Sequence, residues 1–293
     1  MSTFLVVSLN PTYQLIMGYE RISEGDVNRT EKWRSEFSGK GVNVARALSK
    51  LGNDVTLLTH MNPSRITEFQ SQADADGFKA SVVEDPSPLR TCVTILQTGS
   101  NGIGVTTTEL VQESPAIEGS GTEASVLDSY RQILKSVECV IFTGTRSPGY
   151  SKTLYPDMAK LAKQAGCYVI MDVKKGDLTG SLDLEPEFRP DIVKPNLAEL
   201  IQTFGGGFDP LELVENLPCN AVITNGVKGC FIHEVGRELS HIDALRVRSQ
   251  NTTGCGDAFT AAMADSLMKG SNLLAACHAG IRAGALKAQE EPF

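Results

Sequence analysis

Short runs of apolar residues alternate along the chain with longer stretches in which apolar residues recur every three or four positions. The short runs are typical of strands buried on both faces of a parallel sheet: TFLVVSL, DVTLLT, CVIFTG, CYVIMD, DIVKP and AVITN. The longer stretches predict amphipathic helices: VNVARALSKLG, SVLDSYRQILKSV, SKTLYPDMAKLAKQAG and NLAELIQTFG. Two more helices are expected, one from about residue 256 to 268 and one in the last part of the chain. This alternation predicts an α/β fold with a mostly parallel central sheet.

Two segments depart from the alternation. Residues about 12–37 and 88–108 contain stretches of period 2, VNRTEKWRSEF and RTCVTILQT, with no helix between them and their neighbours. We expect these segments to form a small antiparallel β lid attached to the main sheet. No repeat, low-complexity tract or linker divides the chain, so a single domain over residues 1–293 is expected.

Composition and charge narrow the functional classes. The formal net charge of −8, with no basic stripe, argues against a nucleic-acid or membrane partner. No segment has the length of a transmembrane helix, and the start MSTFLVVSLNP lacks the pattern of a secretory signal. The seven cysteines stand singly, so neither a disulfide framework nor a zinc site is expected. We therefore expect a cytoplasmic protein.

Two glycine-rich turns precede predicted helices and are candidate anion sites, because a helix N-terminus presents free backbone N–H groups and a positive dipole end. The first, SGKGVNVARALSKLG at 38–52, carries Lys40 and Asn43 and lacks the third glycine of a dinucleotide fingerprint. The second, NTTGCGDAFTAA at 251–262, places Asp257 directly after Gly254, Cys255 and Gly256. A carboxylate at this place would repel an anion, so Asp257 is either a simple helix cap or has another chemical role.

Two further motifs can be explained either by local structure or by function. TNGVKGC at 224–230 is typical of a hairpin turn. In KPNLAEL at 194–200, Asn196 and Glu199 have the spacing of a capping box. They also follow a strand, which is where open α/β sheets bind ligands. No P-loop, HExxH or GxSxG motif occurs, and the four histidines are scattered.

Taken together, these motifs resemble those of the PfkB carbohydrate kinases, relatives of ribokinase. The two glycine-rich stretches are similar to the two signature motifs of that family. Other matching motifs follow in the family order: SLNP (8–11), GDVNR (25–29), LRT (89–91), TTEL (107–110), TGTRSPG (143–149), KPNLAEL and TNGVKG. GDVNR, RT and TTEL are most similar to the branch of 1-phosphofructokinase and tagatose-6-phosphate kinase. The resemblance implies a ribokinase-like three-layer fold, phosphorylation of a sugar phosphate with ATP and Mg²⁺, and a homodimer formed through the lid.

The resemblance also implies roles for individual residues. Asp257 is expected to be the general base for the attacking sugar hydroxyl, and the backbone of Gly254, Cys255 and Gly256 to stabilise the transferred phosphoryl group. The residues expected to bind the sugar or its phosphate are Gln14, Arg29, Gly39, Lys40, Asn43 and Arg90. Those expected to contact ATP are Lys194, Asn196, Thr224, Gly226 and Gly229, and Asn196 with Glu199 is expected to organise Mg²⁺ through water.

Some positions depart from the family pattern. Gln14 stands where the family usually has an aspartate that binds sugar hydroxyls. After Asp172, the residues Val173, Lys174 and Lys175 replace small residues and a glycine, and the ending AQEEPF is shorter than the usual tail.

The alternatives to a sugar-phosphate kinase are a catalytically silent sugar-phosphate sensor on the same fold and a kinase for an unphosphorylated sugar or nucleoside. A nicotinamide-dependent dehydrogenase is disfavoured because the third glycine is missing.

Overall fold

The computed structural model describes residues 1–98, 105–207, 209–291 and 293, so that part of the predicted lid, residues 99–104, lies outside the described residues. The strands are β1 (Thr3–Val7), β2 (Thr12–Tyr19), β3 (Trp33–Ser38), β4 (Asp54–Met61), β5 (Lys79–Glu84), β6 (Arg90–Thr98), β7 (Val105–Val111), β8 (Cys139–Thr143), β9 (Tyr168–Asp172), β10 (Ile192–Val193), β11 (Asn220–Thr224), β12 (Cys230–His233) and β13 (Ser240–Ile242). The α-helices are α1 (Lys40–Lys50), α2 (Pro63–Asp76), α3 (Thr122–Ile133), α4 (Leu154–Gln164), α5 (Gly176–Leu182), α6 (Leu197–Phe204), α7 (Pro210–Glu215), α8 (Cys255–Met268) and α9 (Leu273–Gln289). None of the helices in the described ranges is long and apolar enough to cross a lipid bilayer.

Nine strands form the main sheet, in the order β13-β12-β11-β10-β9-β8-β1-β4-β5. Neighbouring strands from β5 across to β11 are parallel, and only β11–β12 and β12–β13 are antiparallel. The predicted mostly parallel sheet is confirmed. From β1 the chain continues through β4 to one edge of the sheet and later returns to β8 on the other side of β1. This reversal opens a crevice at the carboxyl ends of β1 and β8, which is where such sheets bind ligands.

Helices cover both faces of the main sheet, and the strand residues alternate between the two cores. Leu5 and Val7 of β1 pack in one core with α3, α4, α5, α6 and α7, and Phe4 and Val6 pack in the other with α1, α2, α8 and α9. These strand residues are buried on both sides, which explains why the strands read as continuous apolar runs rather than alternating ones. The arrangement is the three-layer fold that the sequence predicted.

The second sheet, here called the lid sheet, has the order β3-β2-β6-β7. It occupies the two segments predicted for a lid, with β7 extending to Val111, three residues beyond the predicted end. The pairs β2–β3 and β6–β7 are antiparallel as expected, but the central pair β2–β6 is parallel. The small lid sheet expected from the sequence is confirmed, with one parallel pair between two antiparallel ones. A parallel pair needs a long crossover, and the chain between β2 and β6 supplies one because it passes through β3, α1, β4, α2 and β5.

Candidate active site

A cavity of about 370 Å³ lies in the crevice between the main sheet and the lid sheet. Its floor is formed where β1, β8 and β9 end, together with Glu199 of α6, and the lid sheet contributes Arg90 and Glu109. The residues that line it are Ser8, Asn10, Lys40, Arg90, Glu109, Gly144, Thr145, Asp172, Val173, Lys174 and Glu199. Nine of these eleven residues are polar or charged, with three cations balanced by three carboxylates, which suits a hydrophilic ligand.

Lys40 is the centre of a charge network on the cavity floor. Its Nζ lies 3.2 Å from Asp172 Oδ1 and 3.0 Å from Glu199 Oε1. Burial alone would lower the pKa of Lys40, but the carboxylates of Asp172, Glu199 and Asp257 hold it above its ordinary value. Lys40 is therefore charged at any physiological pH. It follows Gly39, whose φ of 105° turns the chain from β3 into α1.

Asp172 is almost fully buried at the end of β9 and is held by partners on both of its oxygens. Oδ1 accepts from Lys40, and Oδ2 lies 3.2 Å from Lys194 Nζ and accepts from Thr260 Oγ1 at 3.2 Å. Burial would raise the pKa of this carboxyl, but Lys194 and Lys40 hold it below its ordinary value. The two lysines thus keep a buried carboxylate ionised, which would be costly without such partners.

Asp257 lies in the first turn of α8, behind this network. It is 6% exposed, and its Oδ2 accepts a hydrogen bond of 2.8 Å from Asn43 Nδ2 of α1. Burial raises the pKa of Asp257 to about 6; the nearby charge of Asp172 adds to the shift, whereas Asn43, Lys40 and Lys194 oppose it. A carboxyl with a pKa near neutrality can exchange a proton at physiological pH, which is the property required of a general base.

The glycine turn before Asp257 has the conformation of a helix start. Gly254, with φ 80° and ψ 2°, precedes α8, and Asn43 Nδ2 lies 3.5 Å from the position that a Cβ on Gly254 would take. The first turn of a helix leaves backbone N–H groups without intrahelical partners, which suits a phosphoryl group. Burial raises the pKa of the Cys255 thiol, so this side chain is not an activated nucleophile.

The capping box predicted at Asn196 and Glu199 is confirmed. Asn196 Oδ1 accepts from the Glu199 backbone N–H at 2.8 Å, and Glu199 Oε2 accepts from the Asn196 N–H at 3.1 Å. The second carboxylate oxygen of Glu199 remains available to Lys40. Glu199 therefore caps α6 and lines the cavity at the same time.

The hairpin turn predicted for TNGVKGC is also confirmed. It joins β11 to β12, with Asn225 N donating to Gly229 O at 2.7 Å. A Cβ on Gly229 would lie 1.8 Å from the carbonyl oxygen of Ile242, so only glycine fits there. Thr224 at the end of β11 forms a parallel bridge with Asn196, which places this turn beside the start of α6.

The lid sheet brings one predicted arginine to the cavity. Arg90 lines the cavity, and its guanidinium donates to Thr12 Oγ1 at 2.7 Å and to Ser114 Oγ at 3.4 Å. Arg29 is exposed in the connection between β2 and β3 and does not line the cavity. Gln14 is buried on the lid sheet, where its Nε2 donates to Thr94 Oγ1, and it does not line the cavity either.

The unusual lysines after Asp172 shape the cavity mouth. Lys174 lines the cavity and donates to Gln202 Oε1 at 3.3 Å. Lys175 has φ 55° and ψ −137° and is the only non-glycine residue with positive φ in the described ranges. Its N–H donates to Thr203 Oγ1 at 2.8 Å, which helps to hold this conformation. A glycine would adopt it without strain.

Several residues at the site were not singled out from the sequence. Asn10 and Thr145, just after β1 and β8, bond to each other at 2.9 Å, and Ser114 bonds to Asn10 and Arg90. Asn10 and Thr145 lie in the SLNP and TGTRSPG stretches, but no role was assigned to these two residues; Ser114 lies in no such stretch, and isolated Ser residues are common in loops. Thr260 follows Asp257 by three residues, one helical turn, and this spacing indicates a shared face of α8.

Comparison with known proteins identifies the family and agrees with the fold. Residues 4–291 match the model of the pfkB family of carbohydrate kinases. A possible 1-phosphofructokinase from Thermotoga maritima superposes with a TM-score of 0.88 at 22% identity, covering 99% of this chain and 92% of that one. Phosphofructokinase-2 from Escherichia coli is similar in its tetrameric inhibited form (TM-score 0.84, 20% identity, 98% and 94% covered) and in complex with fructose-6-phosphate (TM-score 0.82, 19% identity, 98% and 94% covered).

The chain is a phosphotransferase that acts on an alcohol group of a carbohydrate. More specifically, it belongs to the pfkB family of carbohydrate kinases, since the family model spans nearly its full length.

Proposed function

We propose that the protein transfers the γ-phosphoryl group of ATP to a hydroxyl of a sugar phosphate, with Asp257 as general base. The observation that carries the proposal is the buried carboxyl of Asp257, with a pKa raised to about 6, directly after the glycine turn that starts α8. The hydroxyl oxygen attacks phosphorus as its proton passes to the Asp257 carboxylate. The bond from phosphorus to the bridging oxygen of ADP breaks, and ADP leaves with that electron pair.

In this proposal, the backbone of Gly254, Cys255 and Gly256 stabilises the charge on the transferred group. Phosphoryl transfer depends mainly on positioning and on such electrostatic stabilisation. Asn43 donates to Asp257 Oδ2 and so leaves the other carboxylate oxygen to take the proton. The network around Asp172 supports the same role, because it holds the amino groups of Lys40 and Lys194 in place beside this carboxylate.

The nucleotide is assigned to the side of the site formed by α6 and the β11–β12 turn. Thr224, Gly226 and Gly229 would line the phosphate path there, and Lys194, which is buried beside Asp172, would act on the phosphates through its charge. No group of three or more His, Cys, Asp or Glu side chains in the described ranges is placed to hold a metal ion. The residues present fit Mg²⁺ all the same, because this ion commonly keeps several waters and binds through one or two carboxylates and substrate phosphates. Asn196 and Glu199 would orient its waters, and the ion would neutralise charge on the phosphates.

The sugar phosphate is assigned to the side of the lid sheet. Gly39, Lys40 and Asn43 would hold the sugar, and Arg90 its phosphate, because a guanidinium matches phosphate oxygens in two-point contact. Arg29 lies on an exposed loop away from the cavity. It would contact the phosphate after a movement of this loop, or would enter the site of a second subunit. Gln14 is buried, bonded to Thr94 and outside the cavity lining, so its carbonyl oxygen would reach a sugar hydroxyl only after a local rearrangement of the lid sheet. The complex of phosphofructokinase-2 with fructose-6-phosphate supports a ligand of this class.

A homodimer through the lid sheet is part of the proposal. Strand register places six apolar side chains on the face of the sheet that points away from Arg90 and Glu109, namely Leu15, Met17, Trp33, Val93, Ile95 and Leu110. Trp33 and Leu110 are more than half exposed, and the other four are only half-buried. A contiguous apolar face of this kind is characteristic of a subunit interface. The tetrameric form of a structural neighbour supports self-association in this fold.

An ADP-release assay over pentose and hexose phosphates and the corresponding free sugars tests the proposal. We expect at least one sugar phosphate to be turned over with a kcat/KM at least tenfold above that of its unphosphorylated counterpart. Tight binding of sugar phosphates without any ADP release would contradict the proposal and favour a sensor. Faster turnover of the free sugar would contradict the assignment of the acceptor.

A further inference from the structure

Lys287, in the last turn of α9, lies against the glycine turn that precedes Asp257. Its Cε is 3.5 Å from the position that a Cβ on Gly254 would occupy. Asn43 Nδ2, which holds Asp257, lies at the same distance from that point. Two polar side chains therefore border the conformationally special glycine at the start of α8, and only Asn43 has a place in the proposed mechanism.

Glycines on α9 bring Lys287 to this position. A Cβ on Gly280 would lie 2.8 Å from the ring of Phe259, and a Cβ on Gly284 would lie 3.3 Å from the carbonyl oxygen of Cys255. These two glycines, one helical turn apart, let α9 pack closely on α8, and Lys287 follows three residues later on the same face. The carbonyl oxygen of Ala288 also accepts from the backbone of Gln250 at 2.7 Å, which ties the end of α9 to the segment before the turn.

The amino group of Lys287 forms an ion pair with a carboxylate. Nζ lies 2.5 Å from Oε2 of Glu290, whose side chain is 54% exposed. Both charges act on Cys255, which belongs to the turn. Burial raises the pKa of the Cys255 thiol, the charge of Lys287 opposes that shift, and the charge of Glu290 adds to it. An ion pair this exposed contributes little to stability, so the lysine can exchange Glu290 for a better anion at small cost.

We infer that Lys287 is a further phosphate-binding residue of the site, whose ammonium group bonds the phosphoryl oxygens held at the Gly254–Gly256 turn, in competition with Glu290. The inference rests on the proposed function. A flexible lysine suits a phosphoryl group that moves from the donor to the acceptor, because the ammonium charge can bind its oxygens over a range of geometries. Glu290 in turn lowers the positive charge at the turn and so weakens the retention of anionic ligands.

Calorimetric binding of a non-hydrolysable ATP analogue, AMP-PNP, and of adenosine tests this inference in the full-length protein. We expect Lys287→Met to weaken AMP-PNP binding about tenfold or more and to leave adenosine binding unchanged, because only the phosphates meet the lost charge. Lys287→Arg should restore most of the loss. Glu290→Gln should tighten AMP-PNP binding several-fold. Lys269→Met, which removes a similar ion pair at the far end of α8, is the matched control and should bind like the wild type.

The possible outcomes separate this inference from the proposed function. A wild-type protein that fails to bind AMP-PNP overturns both. Equal AMP-PNP affinity of wild type and Lys287→Met, with normal binding by both, overturns the inference alone. A purely structural ion pair would show lower melting temperatures and equal losses of affinity in Lys287→Met and Glu290→Gln, which also overturns it. If Lys287→Met does not fold, the direction of the Glu290→Gln effect decides, since weakening contradicts competition.

Discussion

Replacement of Asp257 by asparagine should separate the activity of this protein from its stability. The pKa of Asp257 is raised from 3.8 to about 6 because the carboxyl is buried. The pKa therefore differs by about two units between the folded and unfolded states. Above pH ~6, where the carboxylate is ionised, this difference lowers the free energy of unfolding by about 3 kcal/mol. Asparagine carries no charge, and its carbonyl oxygen can still accept the hydrogen bond from Asn43. The variant should therefore be more stable at pH 8, by up to about 3 kcal/mol.

The sign of the pH dependence follows from the direction of the shift. A raised pKa means that the protonated form is favoured in the folded state, so the cost of the charge declines as the pH falls below about 6 and is gone below the ordinary pKa of 3.8. Thermal unfolding should show a gain of several degrees for Asp257→Asn at pH 8 and a smaller gain at pH 5. Over the same range, kcat/KM of the wild type should fall as Asp257 becomes protonated.

The activity of the same variant gives the second half of the test. Loss of the base should lower kcat by roughly 100-fold or more while AMP-PNP binding is retained. The matched control is Asp265→Asn on the same helix, whose carbonyl oxygen can still accept from Asn53 but which loses the ion pair with Lys269, and it should be fully active. Turnover of Asp257→Asn within threefold of the wild type would refute the role as base, and a lower melting temperature at pH 8 would refute the assignment of a costly buried charge.

Three other substitutions test separate parts of the account. Arg90→Ala should raise the KM for a sugar phosphate tens-fold and that of its unphosphorylated analogue far less, and equal effects on both would show that Arg90 does not bind the phosphate. Lys40→Met removes a charge that lowers the pKa of Asp257, so the acidic limb of the kcat/KM profile should move to higher pH; an unmoved limb would argue against coupling of the two groups. Leu110→Lys should convert a dimer to monomers in light scattering, whereas a monomeric wild type would exclude the proposed interface.

The main sheet could be predicted because its strands are buried on both faces. Runs such as CVIFTG have no polar face, and a parallel sheet between two helical layers is the ordinary place for such strands. Helix α2 was missed for the opposite reason. In PSRITEFQSQADAD only Phe69 and Ala73 are buried, so its periodicity is weak although its N-cap Asn62 and Pro63 are favourable. The parallel pairing of β2 with β6 depends on the path of a long crossover and leaves no local signal in either strand.

The site was predicted where motifs occupy short stretches, and not where the fold assembles it from distant parts. The glycine turn before Asp257 and the capping box at Asn196 are local features. The contacts of Lys40 with Asp172 and Glu199 join residues separated by 132 and 159 positions. Nothing near Lys40 indicates these partners. Lys287 lies in an ordinary helical sequence, and its position at the turn becomes visible only through the packing of α9 on α8.

The most direct test of the central claim is ³¹P NMR of a reaction mixture that contains the protein, ATP, Mg²⁺ and the preferred sugar phosphate. We predict that the γ-phosphate signal of ATP is replaced by a second phosphate-monoester signal on the sugar, in equal amount to the ADP formed, and that Asp257→Asn suppresses this conversion. Release of inorganic phosphate in place of a sugar bisphosphate, or an unchanged spectrum with every sugar phosphate that binds, would contradict the claim that this protein is a sugar-phosphate kinase.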